Sequence, residues 1–416
     1  MTGTAGFRVA HVLRKYDPAE RGGTETHVAE VTRRLGALGF AAEVHAPQGP
    51  RSVDSVLAPW VPLIRYRAFC PFLGTAERRR ALVANGGNLV SLAGPLRLMR
   101  DKSLSLAHVH TGGRIGGGVR TAMRWSARPY LVSVHGPLNS GAAFLSADTA
   151  RRLAGTVDLG RPLGLLLGAR RVIDDAARVI CFNDEEQRAL TARVGRRAVR
   201  MDHGVDFARF AKGNANRARL LWPALGDAPV VVQVARLCAQ KDQLLAVRAF
   251  ARGAPADHRL VLAGPETDRG YRAAIEAEAR ALGVFGRVHL IGNVEPADVP
   301  DLLARARVAL VPSLHEAFGL SVLEAWAAGC PALFARVAGL ADLAVALGDG
   351  AAEFAVRERT PEAWAAALRR LLENEATRAA AAEAGASLAQ ARFSWDGVAA
   401  RLAALYSEVL AEAGRA

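Results

Sequence analysis

Two glutamates, Glu316 and Glu324, stand on either side of a predicted helix start in the second half of the chain. The apolar run 308–311 predicts a buried parallel strand, and a helical pattern then begins near Gly319 and stops at Gly329. The first amides of a helix lack intrahelical partners and lie at the positive end of its dipole, so they can hold a diphosphate. A nearby carboxylate can accept the hydroxyls of a ribose or a sugar. The segment therefore predicts a site for a nucleotide-sugar.

Short motifs around the two glutamates strengthen this interpretation. They are Pro312-Ser313 before the first glutamate, Phe318-Gly319-Leu320 between the two, and Ala328-Gly329-Cys330-Pro331 after the second. With them, the segment resembles the E-x7-E signature of retaining glycosyltransferases of family 4, which have the GT-B fold. The resemblance covers nearly the whole chain and is strongest from 230 to 331. It implies two doubly wound, Rossmann-like parallel-sheet domains that face an interdomain cleft.

The resemblance implies a retaining glycosyltransferase. Such an enzyme would move a hexose-type sugar from a UDP- or GDP-linked donor to a small-molecule, natural-product or lipid acceptor. A nucleotide-sugar epimerase on the same fold and a catalytically silent GT-B binding module stay open as alternatives. A phosphorylase that uses pyridoxal phosphate is disfavoured, because such an enzyme needs a lysine for its cofactor. Lys241, the lysine near a strand end in the second half, is instead matched to the donor diphosphate, as described next.

The donor contacts that the resemblance implies lie mainly in the second half. Arg236 and Lys241 match the basic pair that grips the donor diphosphate, although Ala235 and Gln240 replace the usual flanking Gly and Glu. Lysine is rare in this chain, at four residues against 50 arginines, and its flexible charge can follow a moving phosphate. The full donor-binding set expected is Gly22, Gly23, Arg236, Lys241, Gly264, Gly292, Asn293, Val294, Glu316, Phe318, Gly319, Leu320 and Glu324.

The first half carries a second group of candidates. Gly22-Gly23 follows the predicted strand 7–13 and resembles the family loop that faces the donor phosphate, although a tight turn also explains two glycines. His135 ends the predicted strand 130–136, and the resemblance implies that it contacts the donor sugar. The expected catalytic residues are His135, Arg236, Lys241 and Glu316. The residues expected on the acceptor side are Thr24, His27, His110 and Asn183.

Two histidines in this half raise the question of a metal. His108 and His110 alternate on the predicted strand 104–110, so both imidazoles lie on one side of it. Because the sequence offers no third ligand and no convincing Asp-x-Asp pair, we predict no metal site and no cofactor. Side-chain cations and the helix start would neutralise the diphosphate, and the departing diphosphate would take the acceptor's proton.

A length of 416 residues predicts two domains. Residues 1–205 are expected to form the acceptor-binding domain and residues 206–392 the donor-binding domain. Residues 393–416 are expected to form a helix that packs back on the first domain. The region 59–98 is harder to interpret, and its mixture of aromatic and basic residues favours a helix and loops packed on the sheet.

The composition bounds the location of the protein. No apolar run approaches the roughly 18 residues of a membrane-spanning helix, and the first residues lack the pattern of a signal peptide. The four cysteines, which have no pairing or metal spacing, fit a reducing compartment. A cytoplasmic protein is therefore expected, with contact at the inner membrane face as an open possibility.

Charge is divided unequally along the chain. Residues 1–200 carry 30 basic and 15 acidic side chains, whereas residues 201–416 carry 24 and 25. A basic acceptor half would attract an anionic acceptor, or an anionic membrane through the aromatic and basic stretch 60–80. A solubilising surface without a partner is the alternative, and no base-reading element indicates nucleic acid.

Overall fold

The computed structural model describes residues 6–16, 22–48, 61–76, 89–136, 157–348 and 354–414. The chain divides into two compact units. Unit 1 comprises Met1–Met201 and Trp395–Ala416, and unit 2 comprises Asp202–Ser394. The boundaries predicted after 205 and after 392 differ from this division by four and two residues.

Unit 1 contains a seven-stranded, all-parallel sheet in the order β3-β2-β1-β5-β6-β8-β9, together with the short antiparallel pair β4 and β7. Its strands are β1 (Phe7–Val12), β2 (Phe40–Pro47), β3 (Leu63–Tyr66), β4 (Phe72–Leu73), β5 (Leu104–Val109), β6 (Tyr130–Ser133), β7 (Val157–Asp158), β8 (Arg178–Cys181) and β9 (Ala198–Arg200). Its first helices are α1 (Gly23–Leu35), α2 (Ala93–Arg100), α3 (Gly113–Trp125), α4 (Arg161–Leu166) and α5 (Asp184–Val194).

Unit 2 contains a six-stranded parallel sheet in the order β12-β11-β10-β13-β14-β15. The strands are β10 (Val230–Val234), β11 (Arg259–Ala263), β12 (Val288–Gly292), β13 (Ala306–Val311), β14 (Ala332–Ala335) and β15 (Ala355–Val356). The helices are α6 (Phe207–Phe210), α7 (Ala215–Leu221), α8 (Gln243–Gly253), α9 (Tyr271–Ala281), α10 (Val299–Arg305), α11 (Leu320–Ala327), α12 (Ala338–Leu347), α13 (Pro361–Glu373) and α14 (Glu375–Arg392). The chain returns to unit 1 in α15 (Trp395–Glu412).

The two faces of the unit 1 sheet bury different side chains. Strand β1 pairs with β5 in a register that sets His11 beside His108 and Ala10 beside Ala107. Because side chains alternate along a strand, the two histidines share one face. That face carries an apolar cluster with α1, and the other face packs against α3. Ala10 lies in the α3-side cluster, which puts the histidines on the side of α1.

The region 59–98 does not form the predicted helix and loops throughout. Its first described element is β3, an edge strand that pairs in parallel with β2, and α2 lies at its end. Trp60 and residues 78–80 of the aromatic and basic stretch lie outside the described residues. Within the described ranges, no helix is long and apolar enough to cross a membrane.

Candidate functional site

Each sheet has a point at which its strand order reverses, and such points are where open α/β sheets bind ligands. In unit 2 the reversal lies between the adjacent strands β10 and β13. The loop after β10 carries Arg236 and Lys241, and the loop after β13 carries Glu316. In unit 1 the reversal lies between β1 and β5. The predicted residues therefore come from loops that share one edge of a sheet.

Lys241 and Glu316 form an ion pair in unit 2. The Lys241 ammonium contacts Glu316 Oε1, and the two side chains are 16% and 14% exposed. The Ser313 hydroxyl donates to the same carboxylate oxygen over 2.8 Å. The Gly339 amide donates to the Glu316 carbonyl over 3.0 Å, which fixes the backbone of the loop. The Lys241 ammonium and the Glu316 carboxylate are thus held side by side. Arg236 is exposed on the same loop as Lys241.

Two buried glutamines support the backbone of this basic pair. Gln233 Nε2 donates to the Lys241 carbonyl over 2.7 Å, and Gln243 Nε2 donates to the Arg236 carbonyl over 2.9 Å. Gln240 Nε2 also donates to the His315 carbonyl over 3.1 Å, which ties the loop after β10 to the loop after β13. The positions of both cations are therefore set by side chains that lie behind them.

Arg359, just after β15, clamps the same two loops. Its guanidinium donates to the carbonyls of Ser313 (3.1 Å) and Pro312 (2.8 Å) and to the Asp242 carboxylate (2.5 Å). Asp242 has φ of +48°, which is uncommon for a residue with a side chain, and its other oxygen accepts from the Leu245 amide at the start of α8. This contact fixes the residue next to Lys241.

The start of α11 follows Gly319, which has φ of +109°. A Cβ at this position would lie 2.3 Å from the Leu340 side chain. The positive φ and this close contact both favour glycine here. Phe318 is buried, with its ring 5.2 Å from the ring of His203 and 5.7 Å from that of Phe393. The Phe318 side chain is therefore a packing group, and Leu320 begins α11.

Glu324 lies half-buried on α11. Burial raises the pKa of its carboxyl to about 7, and the Arg209 guanidinium opposes that rise. A carboxylate that loses hydration water on burial is ready to accept hydroxyls of a ligand in its place.

The remaining donor candidates stand at the ends of β11 and β12. Gly264 has φ of +148°, and a Cβ there would lie 2.1 Å from the Ala235 carbonyl oxygen. The Gly264 amide donates to the Gly292 carbonyl over 2.7 Å. A side chain at position 264 would therefore collide with the loop after β10, so the close approach of the two loops requires glycine. Asn293 is exposed and Val294 is half-buried in the loop beyond Gly292.

Unit 1 contains a cavity of about 390 Å³ at its own reversal point. Its lining residues come from the loops after β1, β5 and β6 and from the first turn of α1, and they are Leu13, Arg14, Lys15, Thr24, Glu25, His110, Thr111, Gly112, His135 and Gly136. Gly22 and Gly112 precede the first residues of α1 and α3. The amino ends of two helices and two basic side chains therefore meet at this cavity.

The predicted residues of unit 1 have different positions. Gly22 is the N-cap of α1, its amide donates to Glu25 Oε2 over 3.1 Å, and Gly23 is the first helical residue. Thr24, expected on the acceptor side, lies inside α1 rather than at its N-cap, and it lines the cavity. Asn183, expected on the acceptor side, is fully buried and caps α5, where its side-chain oxygen accepts from the Glu186 amide over 2.8 Å.

A cluster of histidines lies beside the cavity. His108 and His110 are joined by His11 and His135, and the rings of His110 and His135 lie close to that of His27. Burial lowers the pKa of His11 and His27 to about 3 and takes the pKa values of the other three well below 6.5, so all five are neutral at pH 7. The predicted strand that carries His135 ends earlier, at Ser133.

The family of the chain follows from comparison with known proteins. Residues 22–202 match the glycosyl transferase 4-like domain, and residues 222–388 match the glycosyl transferases group 1. The D-inositol 3-phosphate glycosyltransferase 2 of Catenulispora acidiphila is 31% identical over 95% of this chain and 92% of that protein. The D-inositol 3-phosphate glycosyltransferase of Kineococcus radiotolerans is 31% identical over 90% of this chain and 88% of that protein. The chain belongs to the group 1 glycosyltransferases.

Solved structures show that this glycosyltransferase has the GT-B fold. Sucrose-phosphate synthase from Thermosynechococcus elongatus has a TM-score of 0.75 and 22% identity, covering 98% of this chain and all of that chain. Anabaena HepE in complex with UDP and glucose has a TM-score of 0.71 and 17% identity, covering 97% of this chain and all of that chain. The relatives of 31% identity, which are named glycosyltransferases, favour a glycosyltransferase over the epimerase and over the silent binding module.

Several residues of the glycosyltransferase site are not predicted from its sequence. Lys15 is one of only four lysines and follows a predicted strand, which is the signal that singled out Lys241. Asp242 precedes an apolar helical run, as an N-cap does. Nothing in the sequence distinguishes Arg359 from the other arginines.

Proposed function

We propose that this glycosyltransferase moves a hexose-type sugar from a nucleoside-diphosphate donor, such as a UDP-sugar, to a phosphorylated polyol. The relatives named D-inositol 3-phosphate glycosyltransferases act, by that name, on a phosphorylated cyclitol, and we extend this substrate class to the present chain. The observation that carries the acceptor class is the unit 1 cavity.

The cavity suits a phosphate group. Among the lining residues that the structure describes, Arg14 and Lys15 outnumber the one acidic residue, Glu25, whose carboxylate accepts from the Gly22 amide. The helices that begin beside it, α1 and α3, are each 13 residues long and direct unpaired amides towards their amino ends. We infer that these groups bind the acceptor phosphate, while the neutral His135 hydrogen-bonds a substrate hydroxyl.

The donor is assigned to the reversal point of unit 2. Lys241, Arg236 and the amides at the start of α11 would stabilise the diphosphate as its bond to the anomeric carbon breaks. Glu316 would accept hydroxyls of the transferred sugar, and Glu324 the two hydroxyls of the ribose. The Anabaena neighbour is in complex with UDP and glucose, which supports a UDP-sugar as the donor class.

The proposed reaction keeps the anomeric configuration. The bond between the anomeric carbon and the diphosphate oxygen breaks, the acceptor oxygen bonds to that carbon on the same face, and the departing diphosphate takes the acceptor's proton. Because side-chain cations balance the leaving-group charge, we propose that no metal takes part and that activity survives EDTA. An absolute need for magnesium or manganese would contradict this part. We infer a cytoplasmic location, where nucleotide-sugars are available.

An acceptor panel tests the proposal. We expect transfer to inositol 3-phosphate and little to inositol. Lys15→Met is expected to raise the KM for the phosphorylated acceptor about tenfold or more, since a hydrogen bond to a charged group contributes about 1.5–3 kcal/mol. Lys102→Met, an exposed lysine of unit 1 outside the cavity lining, is the matched control. Equal turnover of both acceptors, or an unchanged KM in Lys15→Met, would contradict the acceptor class.

A further inference from the structure

A continuous series of hydrogen bonds runs from the terminal helix α15 to the cavity of unit 1. Tyr406 on α15 contacts His108 Nδ1 at 2.6 Å and His11 Nε2 at 3.4 Å. His11 Nδ1 lies 3.0 Å from His110 Nε2, and His110 Nδ1 lies 2.9 Å from His135 Nε2. The series reaches His135, which lines the cavity.

Every imidazole of this series is neutral at pH 7, because burial keeps its pKa below that range. A neutral imidazole has one nitrogen that donates and one that accepts. Each imidazole therefore passes the direction of one hydrogen bond to the next. The Tyr406 hydroxyl could accept from both of its histidine partners, but it is fully buried, and an unpaired hydrogen there would cost about 1–3 kcal/mol, so it donates to one of them. The whole series then runs in one of two directions. In one direction His135 carries its hydrogen on Nδ1, and in the other on Nε2.

Ser133 selects the direction. Its hydroxyl lies 2.8 Å from His108 Nε2 and is almost fully buried, at 3% exposure. Within the described part of the chain, His108 is the sole hydrogen-bond partner of this hydroxyl. A buried hydroxyl that accepts from its one partner leaves its own hydrogen unpaired, which costs about 1–3 kcal/mol. Ser133 therefore donates, so His108 Nε2 accepts and His108 Nδ1 donates to Tyr406.

We propose that Ser133, His108, Tyr406, His11 and His110 hold His135 as the tautomer with its hydrogen on Nδ1. Tyr406 is then a positioning residue, since its hydroxyl accepts from His108 and donates to His11, which donates in turn along the series. His135 presents an N–H, rather than a lone pair, to a substrate oxygen. The contact of His135 with a substrate rests on the proposed function, whereas the assignment of its tautomer does not.

A metal is the rival interpretation of the same cluster. His11, His108 and His110 each place a ring nitrogen within 4.8 Å of the others, and His11 is the third imidazole that the sequence did not reveal. All six of their ring nitrogens, however, already take part in the hydrogen bonds given above. The buried carboxylate of Glu43 lies on the opposite face of the sheet, because its register partner is Ala10, which packs on the α3 side. It is therefore not placed to balance a divalent ion in the cluster.

Nitrogen NMR of histidine-labelled protein tests the proposal directly, because protonated and bare imidazole nitrogens differ widely in chemical shift. We expect His11, His108, His110 and His135 to be neutral at pH 7 with the hydrogen on Nδ1. Free neutral histidine prefers the hydrogen on Nε2, so this result would not arise by default. Hydrogen on Nε2 of His11, His110 or His135 would overturn the proposal, as would stoichiometric zinc that His11→Ala removes.

Tyr406→Phe tests the positioning role. Without the hydroxyl, the direction of the last three imidazoles is no longer fixed, so the second tautomer of His135 should appear. Tyr130→Phe is the matched control, because the Tyr130 hydroxyl is also buried and donates to the Val172 carbonyl over 2.8 Å, away from the series. A His135 spectrum that is unchanged in Tyr406→Phe would overturn the role of Tyr406.

Kinetics separate this inference from the proposed function. Loss of one oriented hydrogen bond should lower kcat/KM about fivefold in Tyr406→Phe and leave Tyr130→Phe near normal. If the spectra are as expected but no nucleotide-sugar is turned over, the tautomer stands and the proposed function fails. If sugars are transferred but the wild-type tautomer is reversed, the inference fails and the proposed function stands.

Discussion

The Lys241–Glu316 ion pair joins two charges with different proposed tasks, one on the leaving diphosphate and one on the sugar. We expect Lys241→Met and Glu316→Gln each to lower kcat by about 10² to 10³, the usual cost of removing one preorganised electrostatic contact. Release of nucleoside diphosphate under saturating substrate measures this change. Near-normal turnover in both variants would contradict the assignment of the pair.

The same variants should differ in stability from the double variant. Each single change leaves a largely buried polar or charged group without its partner, which costs about 1–3 kcal/mol. The double variant Lys241→Met/Glu316→Gln leaves no unpaired charge, so its loss in free energy of unfolding should be smaller than the sum of the two. Urea denaturation measures all three, and strict additivity would show that the pair is not coupled.

Glu324 should make donor binding depend on pH. Its carboxyl has a pKa raised to about 7 by burial, and only the ionised form accepts two ribose hydroxyls. Below pH 7 the group is protonated, so the KM for the donor should rise as the pH falls from 8 to 6. Glu324→Gln should bind the donor more weakly and show a flat profile in this range. A wild-type KM that does not change across pH 7 would contradict this role.

At the scale of elements, Arg359 links the segment after β15, on which it lies, to the end of β13 and to the loop before α8. We expect Arg359→Gln to raise the KM for the donor and to lower kcat about tenfold, because a small displacement of catalytic groups has a large effect on rate. Arg357→Gln, an exposed arginine two positions earlier, is the matched control. Equal kinetics of the two variants would show that Arg359 has only a surface role.

The sequence predicts the central elements of both sheets well and the edge of the first sheet poorly. Strands β10 and β13 are buried on both faces, so they appear as continuous apolar runs. The helix α11 is marked at both ends by Gly319 and Gly329, which have positive φ. By contrast, β3 is a short edge strand with half-buried residues around Arg65, and such a segment has neither an apolar run nor a clear alternation.

The candidate site is predictable where one segment carries it and hidden where distant segments meet. Glu316, Gly319 and Glu324 stand within nine positions, so their joint role is visible in the sequence. His108 and Tyr406 are 298 positions apart, and their hydrogen bond depends on where α15 packs. The support that Gln233 gives to Lys241 likewise arises from the fold, because it joins a buried strand to the loop that follows it.

For the whole molecule, the charge difference between the two halves predicts salt-dependent acceptor binding. The excess of basic side chains lies entirely in residues 1–200, which belong to unit 1. Salt shortens the range of such attraction from about 10 Å at 0.1 M to about 3 Å at 1 M. The KM for a phosphorylated acceptor should therefore rise with salt more steeply than the KM for the donor. A salt-independent KM would leave the charge difference without a role in catalysis.

Liposome sedimentation tests the membrane hypothesis for the same charge. Binding to anionic vesicles that is lost at high salt, with no binding to neutral vesicles, would support contact of the basic half with a membrane. Equal binding to both kinds of vesicle, or none, would remove that hypothesis and leave two alternatives, an acceptor phosphate and a solubilising surface without a partner.

The most direct test of the proposed reaction is the structure of its product. The enzyme is incubated with an α-linked UDP- or GDP-sugar and inositol 3-phosphate, and the product is examined by proton NMR while nucleoside diphosphate is quantified. We predict one nucleoside diphosphate per glycoside formed and an α-linkage in the product. A β-linked product would contradict the retaining mechanism, and conversion of the donor sugar without acceptor consumption would contradict sugar transfer itself.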